Sequence, residues 1–528
     1  MRSWWDLSAA VLAGGLSAAA FPPYDLPALA PLGVAVLSLA VRSRSSDGWW
    51  RRAALVGLVH GGVFLGVALW WLAASVSPWA WAGVVAVQAV WCAVTAVGVA
   101  AVKGLGAWPL WAAGVLTLGE SVRSAVPWGG MPWARLGYAA LDTPWEGLLP
   151  LLGTVATGAV IALGGCVLGA LVDEVWHRRG ARQGRFALLP VWVPLWASVL
   201  GIAVVGLAPT YDDGHLGARI AVVQGELPGD GTQVAAHHRT LTTSLAEQTR
   251  LLVAREGGSP FDLVVWPENA TAVDPTEDSV VGATVRAAQA AAGAPLLLGA
   301  IADATDPDRA LNQAQVWSGG SLQRAYTKQR LVPFGEYVPL RSLATRLSDR
   351  VAAIPRDMVP GPPAGPMRIG SVLVGTALCF DVAYDDVLRR QVADGAQVLS
   401  VQTSNAMFLG TAQLEQQWQV TRARALELGR AVVVSSVNGV SGVVAPDGTV
   451  LERLPERSAG SVVADVPLAS TTTWAVRAGP WPARVVWVGA WLALLVGLWN
   501  GWPTLLRRKP CLLPGVAANV PGWRERRY

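Results

Sequence analysis

The chain has 528 residues, of which 52% are hydrophobic and 15% charged, and it contains 27 Trp. Its mean hydropathy of +0.39 is too high for a wholly soluble protein, so the composition indicates a membrane protein with a soluble part. The formal net charge of +5 is carried mostly by Arg near apolar segments. Because no basic stripe interleaved with aromatic residues is present, a nucleic-acid partner is not expected.

Apolar segments of membrane length fill the first two hundred residues and return once near the C-terminus. Spans are predicted at 7–20, 26–41, 53–75, 79–102, 107–122, 148–172, 187–207 and 483–502. The predicted domains are therefore an N-terminal membrane domain at 1–209 with about seven transmembrane helices, a polar domain at 210–480, a transmembrane helix at 481–503 and a basic tail at 504–528. We call the polar domain the catalytic domain, because the candidate catalytic residues lie in it.

Arginine clusters predict how these spans are oriented. They lie at 42–52, at 178–185 and in the tail at 507–527. Since positively charged loops stay in the cytoplasm, eight spans with the N-terminus inside place all three clusters there. We therefore expect a multi-pass protein of the cell (inner or plasma) membrane with its catalytic domain on the extracytoplasmic side.

One loop of the membrane domain is rich in aromatic residues. Residues 123–146 contain PWGGMPWARLGY, with Trp128, Trp133 and Tyr138. Tryptophan and tyrosine are enriched where a membrane meets water. The loop is predicted to form an aromatic belt at the outer membrane surface, beneath the catalytic domain.

The polar segment that follows alternates strands with helices, which is typical of an α/β domain. Strands are predicted at 219–224, 262–266, 295–301, 372–378, 398–402, 431–436 and 442–445, and helices at 237–255, 279–292 and 414–428. The segment has no Cys/His cluster with metal-ligand spacing and no phosphate-binding glycine loop, so no cofactor or metal is expected.

Cys379 lies at the end of the apolar run SVLVGTALCFD. Such a run predicts a buried strand, and open α/β folds place their chemistry at the carboxyl ends of strands. The other cysteines lie in apolar segments or in the basic tail. A lone Cys is either a small buried hydrophobe or a reactive thiol, and its position alone leaves both interpretations open.

Two ionisable residues could activate this thiol. Lys328 is the single Lys between the membrane segments, and Glu268 directly follows the apolar run DLVVWP. Cysteine attacks as the thiolate, which requires a general base and gains from a nearby cation. Glu268 can be the base and Lys328 can stabilise both the thiolate and an oxyanion. The histidines of this segment lie in polar stretches near its start, which disfavours a Cys–His arrangement.

Three motifs carry a family resemblance. WPENA around Glu268, YTKQRLVPFGEYVP around Lys328 and Glu336, and LCFD around Cys379 resemble the carbon–nitrogen hydrolase (nitrilase) superfamily with its Glu-Lys-Cys triad. With the membrane spans, MPWARLGY, VQG at 223–225 and the stretch at 422–448, nearly the whole chain is similar to the apolipoprotein N-acyltransferase family. The resemblance implies a multi-pass α-helical membrane domain joined to an αββα nitrilase-like sandwich.

The resemblance also implies a reaction. An acyl chain would pass from a membrane phospholipid to Cys379 as a thioester, and then to the α-amino group of the N-terminal diacylglyceryl-cysteine of a lipoprotein. Glu268 would remove the proton from the thiol and later from the amine. Lys328 and the backbone N–H after the nucleophile would stabilise the oxyanion. The phospholipid donor and the lipoprotein acceptor are the expected partners.

Further residues are expected to support this triad or contact substrate. Glu336 would position Lys328 or the substrate, and Phe380 and Asp381 follow the nucleophile directly, with Asp381 standing where many family members have Glu. Ser404 and Asn405 match part of another family motif. For these two, a turn at the end of a strand and a direct catalytic role are both open.

Two alternative functions use the same residues. A membrane-anchored amidase would hydrolyse a small amide with the same triad and with water as the second nucleophile, because a fold alone does not define a reaction. A non-catalytic paralogue would bind lipoproteins without acylating them. The long match outside the triad argues against the amidase, and the intact triad argues against the paralogue.

Overall fold

The computed structural model describes residues 2–42, 48–178, 217–227, 238–258, 260–342 and 356–500. The span predicted at 187–207 and the tail at 504–528 lie outside the described residues. Within the described part, four helices are long and apolar enough to cross a membrane: Trp49–Ala68, Pro78–Val102, Glu146–Val175 and Trp481–Trp499. The protein is therefore a membrane protein, as its composition predicts.

The N-terminal part is a bundle of helices. They are α1 (Arg2–Ala19), α2 (Leu29–Ala40), α3 (Trp49–Ala68), α4 (Trp71–Ser75), α5 (Pro78–Val102), α6 (Trp108–Arg123) and α7 (Leu149–Arg178). Small residues let these helices approach closely. On α3, a Cβ added at Gly57 would lie 2.4 Å from the Cys92 carbonyl oxygen, and one at Gly61 would lie 2.6 Å from the Cys92 Cβ. The segment predicted as one span at 53–75 is two helices, α3 and the short α4.

The catalytic domain contains two sheets. Its strands are β1 (Gly217–Gln224), β2 (Leu263–Val265), β3 (Leu296–Asp303), β4 (Arg309–Ser318), β5 (Ser321–Thr327), β6 (Asp357–Met358), β7 (Met367–Ile369), β8 (Val372–Leu378), β9 (Val398–Thr403), β10 (Val432–Ser436), β11 (Gly442–Val444), β12 (Val450–Arg453) and β13 (Gly460–Pro467). The first sheet has the order β13-β1-β2-β3-β4-β5, with β6 paired to β4, and the second has the order β12-β11-β10-β9-β8-β7. Both are mixed, with parallel centres at β1-β2-β3 and at β8-β9-β10.

Four helices cover the outer faces of the two sheets, and two more helices follow the sandwich. In chain order they are α8 (His238–Arg255), α9 (Ser279–Ala292), α10 (Asp385–Ala393), α11 (Ala412–Leu428), α12 (Trp474–Ala478) and the membrane-length α13 (Trp481–Trp499). Apolar residues that alternate along the strands, such as Ile220, Val222, Val374 and Val398, fill the layer between the sheets. Helices α8 and α9 pack on the first sheet, and α10 and α11 pack on the second. The α/β sandwich predicted from the sequence is confirmed.

Helix α11 connects the catalytic domain to the membrane bundle through a buried glutamine. The Gln416 Oε1 accepts hydrogen bonds from the indole N–H groups of Trp71 (3.0 Å) and Trp133 (2.7 Å), and its Nε2 donates to the carbonyls of Pro22 (2.8 Å) and Ala68 (2.9 Å). One side chain thus satisfies four polar groups from the membrane domain. Leaving such groups unpaired would cost about 1–3 kcal/mol each, so this contact fixes how the two parts meet.

The aromatic loop differs from its prediction. Trp128 is exposed, but Trp133 and Tyr138 are only 3% and 1% exposed because they pack against the catalytic domain. Trp133 stacks on Phe380 with ring centroids 6.1 Å apart, and the Tyr138 hydroxyl donates to the Ala383 carbonyl at 3.1 Å. The prediction of a belt at the membrane surface is wrong for these two residues, which instead form part of the junction between the domains.

Candidate active site

The side chains singled out in the sequence follow strands whose carboxyl ends share one edge of the sandwich. Glu268 comes three residues after β2, Lys328 directly follows β5, Cys379 directly follows β8 and Ser404 directly follows β9. Because β1, β2 and β3 are parallel to one another, as are β8 and β9, their carboxyl ends lie on the same side of each sheet. Each sheet therefore contributes to one cluster.

Lys328 is the centre of this cluster. Its Nζ lies 3.0 Å from the Glu268 Oε1 and 2.9 Å from the Glu336 Oε1. The three side chains are only 2%, 4% and 12% exposed. Burial alone would lower the pKa of Lys328, but the two carboxylates outweigh it and hold that pKa well above its usual value. Lys328 is therefore a fixed cation that stays protonated at neutral pH.

Asn312 on β4 completes the contacts between these charges. Its Nδ2 donates to the Glu268 Oε1 and to the Glu336 Oε1, both at 2.8 Å, so one amide spans both carboxylates. The backbone carbonyl of Asn312 also accepts a 2.8 Å hydrogen bond from the backbone N–H of Lys328. Sequence reasoning missed this residue because β4 was not predicted. The sequence does contain an indication of its role. Asn312 shares one face of the strand with Ala310 and Ala314, and a polar residue on a buried face often has a specific partner.

The second oxygen of Glu268 faces the other sheet. Its Oε2 accepts a 2.9 Å hydrogen bond from the Ser404 backbone N–H, so one lone pair of that oxygen stays available. The approach of the Glu268 backbone to β3 requires glycine there, since a Cβ at Gly299 would lie 2.4 Å from the Glu268 Cα. The Glu268 carboxylate is thus fixed from three sides, by Asn312, Lys328 and Ser404.

Cys379 begins a 3-10 turn directly after β8, with a left-handed φ of 48°. A non-glycine residue in this region is strained, and such strain is common at functional sites. Its side chain is half-buried. Burial and the nearby Glu268 carboxylate raise the pKa of the Cys379 thiol to about 12, although Lys328 and a hydrogen bond with Thr403 act in the opposite direction. The resting thiol is therefore protonated.

Asp381 supports the turn from inside the protein. Its Oδ1 accepts a hydrogen bond from the Arg330 backbone N–H at 2.8 Å, and its Oδ2 accepts from the Tyr326 hydroxyl at 2.8 Å and the Leu378 N–H at 3.2 Å. Burial raises the pKa of Asp381 to about 6, although Lys328 and these hydrogen bonds act to lower it. Since the carboxylate is fully buried and bound to protein donors, it joins the Cys379 turn to the end of β5.

The remaining predicted residues lie at the margin of the cluster. The Asn405 side chain accepts a 2.8 Å hydrogen bond from the Thr403 hydroxyl, and its φ of 50° opens a short 3-10 turn. Ser404 reaches Glu268 through its backbone N–H. Phe380 packs between Trp133 and Tyr384. In the described residues, no group of three His, Cys, Asp or Glu side chains is arranged to hold a metal ion.

Two family models match the two parts of this architecture. Residues 219–476 match the family model described as "Carbon-nitrogen hydrolase", and residues 13–167 match "Apolipoprotein N-acyltransferase N-terminal domain". By these two family models, the chain is a carbon–nitrogen hydrolase sandwich joined to a membrane domain.

One solved structure is also similar to this chain. A mutant of the Nesterenkonia AN1 amidase from the nitrilase superfamily matches 47% of this chain and 90% of its own chain, at 19% identity and a TM-score of 0.35.

Curated relatives narrow this class to one family. The "Apolipoprotein N-acyltransferase" of Mycolicibacterium smegmatis is 31% identical over 95% of this chain and 87% of its own length. The protein of the same name from Pseudomonas aeruginosa PAO1 is 30% identical over 93% of this chain and 94% of its own length. The chain belongs to the apolipoprotein N-acyltransferase family and is an acyltransferase of that family.

The electrostatics of the site predict an effect of Glu268→Gln on the thiol. Because the Glu268 charge raises the pKa of Cys379, its removal should lower that pKa and increase the thiolate fraction. We expect iodoacetamide to alkylate Cys379 faster in Glu268→Gln than in the wild type at every pH between about 7 and 10. Peptide mass spectrometry would follow Cys379 separately from the other cysteines.

A matched control is Glu247→Gln, which removes a carboxylate from the exposed surface of α8. It should leave the alkylation rate of Cys379 unchanged. An equal or slower rate in Glu268→Gln would show that the Glu268 charge does not act on the thiol.

Proposed function

We propose that Cys379 is the nucleophile, Glu268 the general base and Lys328 the oxyanion-stabilising cation of a two-step acyl transfer. The acyl chain comes from a membrane phospholipid and ends on the α-amino group of an N-terminal diacylglyceryl-cysteine of a lipoprotein. Lys328 carries this proposal, because its ammonium has three N–H donors and two of them bind Glu268 and Glu336. The third has no partner among the described residues and can bind an oxyanion.

The first step forms the thioester. As the Cys379 Sγ attacks the ester carbonyl of the phospholipid, the thiol proton passes to the Glu268 carboxylate. A thiol with a pKa of about 12 is protonated at rest, so proton transfer must accompany attack. Lys328 and the backbone N–H of Phe380 stabilise the tetrahedral oxyanion. When the ester C–O bond breaks, the proton moves from Glu268 to the leaving oxygen, and a lysophospholipid departs.

The second step uses the same groups in reverse. The lipoprotein amine attacks the thioester carbonyl and forms the C–N bond, while Glu268 accepts a proton from the amine. The C–S bond then breaks, and the Cys379 sulfur regains a proton from Glu268. Glu336 and Asn312 remain bound to Lys328 and Glu268 respectively, so the charges do not need to rearrange between the two steps.

The membrane domain supports this choice of substrates. Moving an acyl chain from a bilayer into water costs about 0.8 kcal/mol per CH₂, so an enzyme that acts on two lipids gains from a site at the membrane surface. In this chain the turn that carries Cys379 packs directly on the membrane domain, since Phe380 stacks on Trp133 and the Ala383 carbonyl binds Tyr138. This contact holds the thiol close to the membrane domain, where both lipid substrates would be bound.

The catalytic domain belongs on the extracytoplasmic side under this proposal. The Arg clusters support this orientation through the positive-inside rule. Ser321→Cys would place a thiol at the exposed start of β5, while the native Cys511 lies in the predicted cytoplasmic tail. In intact cells, a membrane-impermeant maleimide should label the thiol introduced by Ser321→Cys and leave Cys511 unlabelled until the membrane is opened. The reverse pattern would contradict the orientation.

The reaction products separate acyl transfer from the amidase alternative. With a defined phospholipid and a synthetic diacylglyceryl lipopeptide, the purified protein should release one lysophospholipid for each N-acylated peptide. Cys379→Ala should abolish both products, because no thioester can form. Ammonia released from a small amide in place of lysophospholipid would establish the amidase, and lipopeptide binding without either product would establish the non-catalytic paralogue.

A further inference from the structure

A cavity lies where the membrane bundle meets the catalytic domain. It has a volume of about 260 Å³ and is bounded by α6, α7 and α13 of the membrane part and by α10 of the catalytic domain. Its walls include Leu152, Ala483 and Trp487. Ala383 and Tyr384 also line it, whereas Glu268, Lys328 and Cys379 do not. The cavity therefore adjoins the end of the turn that begins at Cys379 and is separate from the Glu268, Lys328 and Cys379 side chains.

Every carboxylate that lines this cavity is paired. Asp385 binds Arg135 in a bidentate contact at 2.9 and 3.0 Å and also binds Arg424 at 2.7 Å. Glu427 pairs with Arg424, and the Thr154 hydroxyl donates to it at 2.8 Å. The third carboxylate, Asp386, binds Arg330 at 2.5 Å and lies 3.8 Å from Arg390. The lining carboxylates therefore leave no unbalanced negative charge.

Arg389 is a cation of the cavity lining that no carboxylate neutralises. It lies on α10 and is half-buried, and its side chain makes no hydrogen bond or ion pair with any residue that the structure describes. A half-buried guanidinium without a carboxylate partner is suited to bind phosphate, whose oxygens it can engage in a bidentate manner. The charge in the cavity thus favours an anionic group.

The membrane side of the cavity continues along an apolar surface. Along α13 beyond Trp487, which lines the cavity, Trp491 and Leu498 are 57% and 48% exposed. Their spacing places them on the same side of the helix as Trp487. Since α13 is apolar and long enough to cross the membrane, this side can contact lipid chains. A phosphate-binding cation at the end of such a surface matches the layout of a glycerophospholipid.

We propose that this cavity binds one glycerophospholipid of the membrane, with its phosphate on Arg389 and an acyl chain along α13. This lipid is a resident ligand and not the acyl donor. It contacts the end of the turn that begins at Cys379, through Ala383 and Tyr384. The inference rests on the membrane location of the protein and does not depend on the proposed acyl transfer.

The test is native mass spectrometry of the full chain in detergent, titrated with phosphatidylglycerol. The background is Cys379→Ala, so that no acyl-enzyme forms. Arg389→Gln removes the phosphate contact and should weaken binding of one lipid about tenfold, as expected for a charged hydrogen bond. Arg286→Gln, which removes the same charge from the exposed face of α9, is the matched control and should bind as its parent does.

A second variant and a second probe in the same binding experiment identify the ligand. Ala483→Trp places a large side chain in the cavity and should abolish binding of this lipid without removing a charge. Glycerol 3-phosphate, which lacks acyl chains, should bind far more weakly than phosphatidylglycerol. The proposal would be overturned if Arg389→Gln and Ala483→Trp both retained the lipid with the parent affinity. It would also be overturned if glycerol 3-phosphate bound as tightly as the lipid, since the ligand would then be a free phosphate compound.

Discussion

A buried ammonium between two buried carboxylates is the interaction on which the site depends. Removing three charges from water is costly, and the cost is offset only where the charges lie close together with their hydrogen bonds made. Lys328, Glu268 and Glu336 meet this condition because Asn312 and the Ser404 and Val332 backbone N–H groups donate to the carboxylates. One of these donors, Ser404, directly follows a strand of the second sheet, so the two sheets must stay in register for the Glu268 carboxylate to keep its position.

The net charge of the cluster explains why the Cys379 thiol is protonated at rest. One lysine and two carboxylates give the cluster a net negative charge, which opposes a resting thiolate on Cys379 and raises its pKa. A protonated thiol resists stray electrophiles and oxidation. In the proposed mechanism it becomes a nucleophile only when a substrate carbonyl allows Glu268 to take the proton during attack. The available N–H of Lys328 then lies close to the place where negative charge develops.

Contacts with the membrane domain also hold the turn that carries Cys379. Arg424 on α11 donates to the Val382 carbonyl at 2.9 Å and the Ala383 carbonyl at 3.0 Å, and also binds Asp385, which in turn binds Arg135 of the membrane domain. The 3-10 turn that begins at Cys379 is therefore enclosed by contacts from both domains. Because these groups are buried and mutually paired, a shift of one domain would leave several of them unsatisfied.

Periodicity predicted the α/β class and most of the parallel strands, and the family resemblance implied the αββα sandwich and the grouping of Glu268, Lys328 and Glu336. Val372–Leu378 and Ser279–Ala292 have the predicted bounds, because their apolar patterns are strong and local. Asn312 and the Asp381–Tyr326 contact were not predicted, since they depend on pairings between distant strands. The burial of Trp133 was also missed, because sequence alone does not distinguish an aromatic residue at a membrane surface from one at a domain junction.

The acyl-enzyme is the species that most directly distinguishes the proposed chemistry from its alternatives. Intact mass spectrometry of the purified protein, after incubation with a phospholipid of defined chains and without acceptor, would detect it. We expect a mass gain of one acyl group that hydroxylamine removes and that is absent from Cys379→Ala. A folded wild-type protein that acquires no adduct, or one that acquires the same adduct after Cys379→Ala, would contradict Cys379 as the acyl carrier.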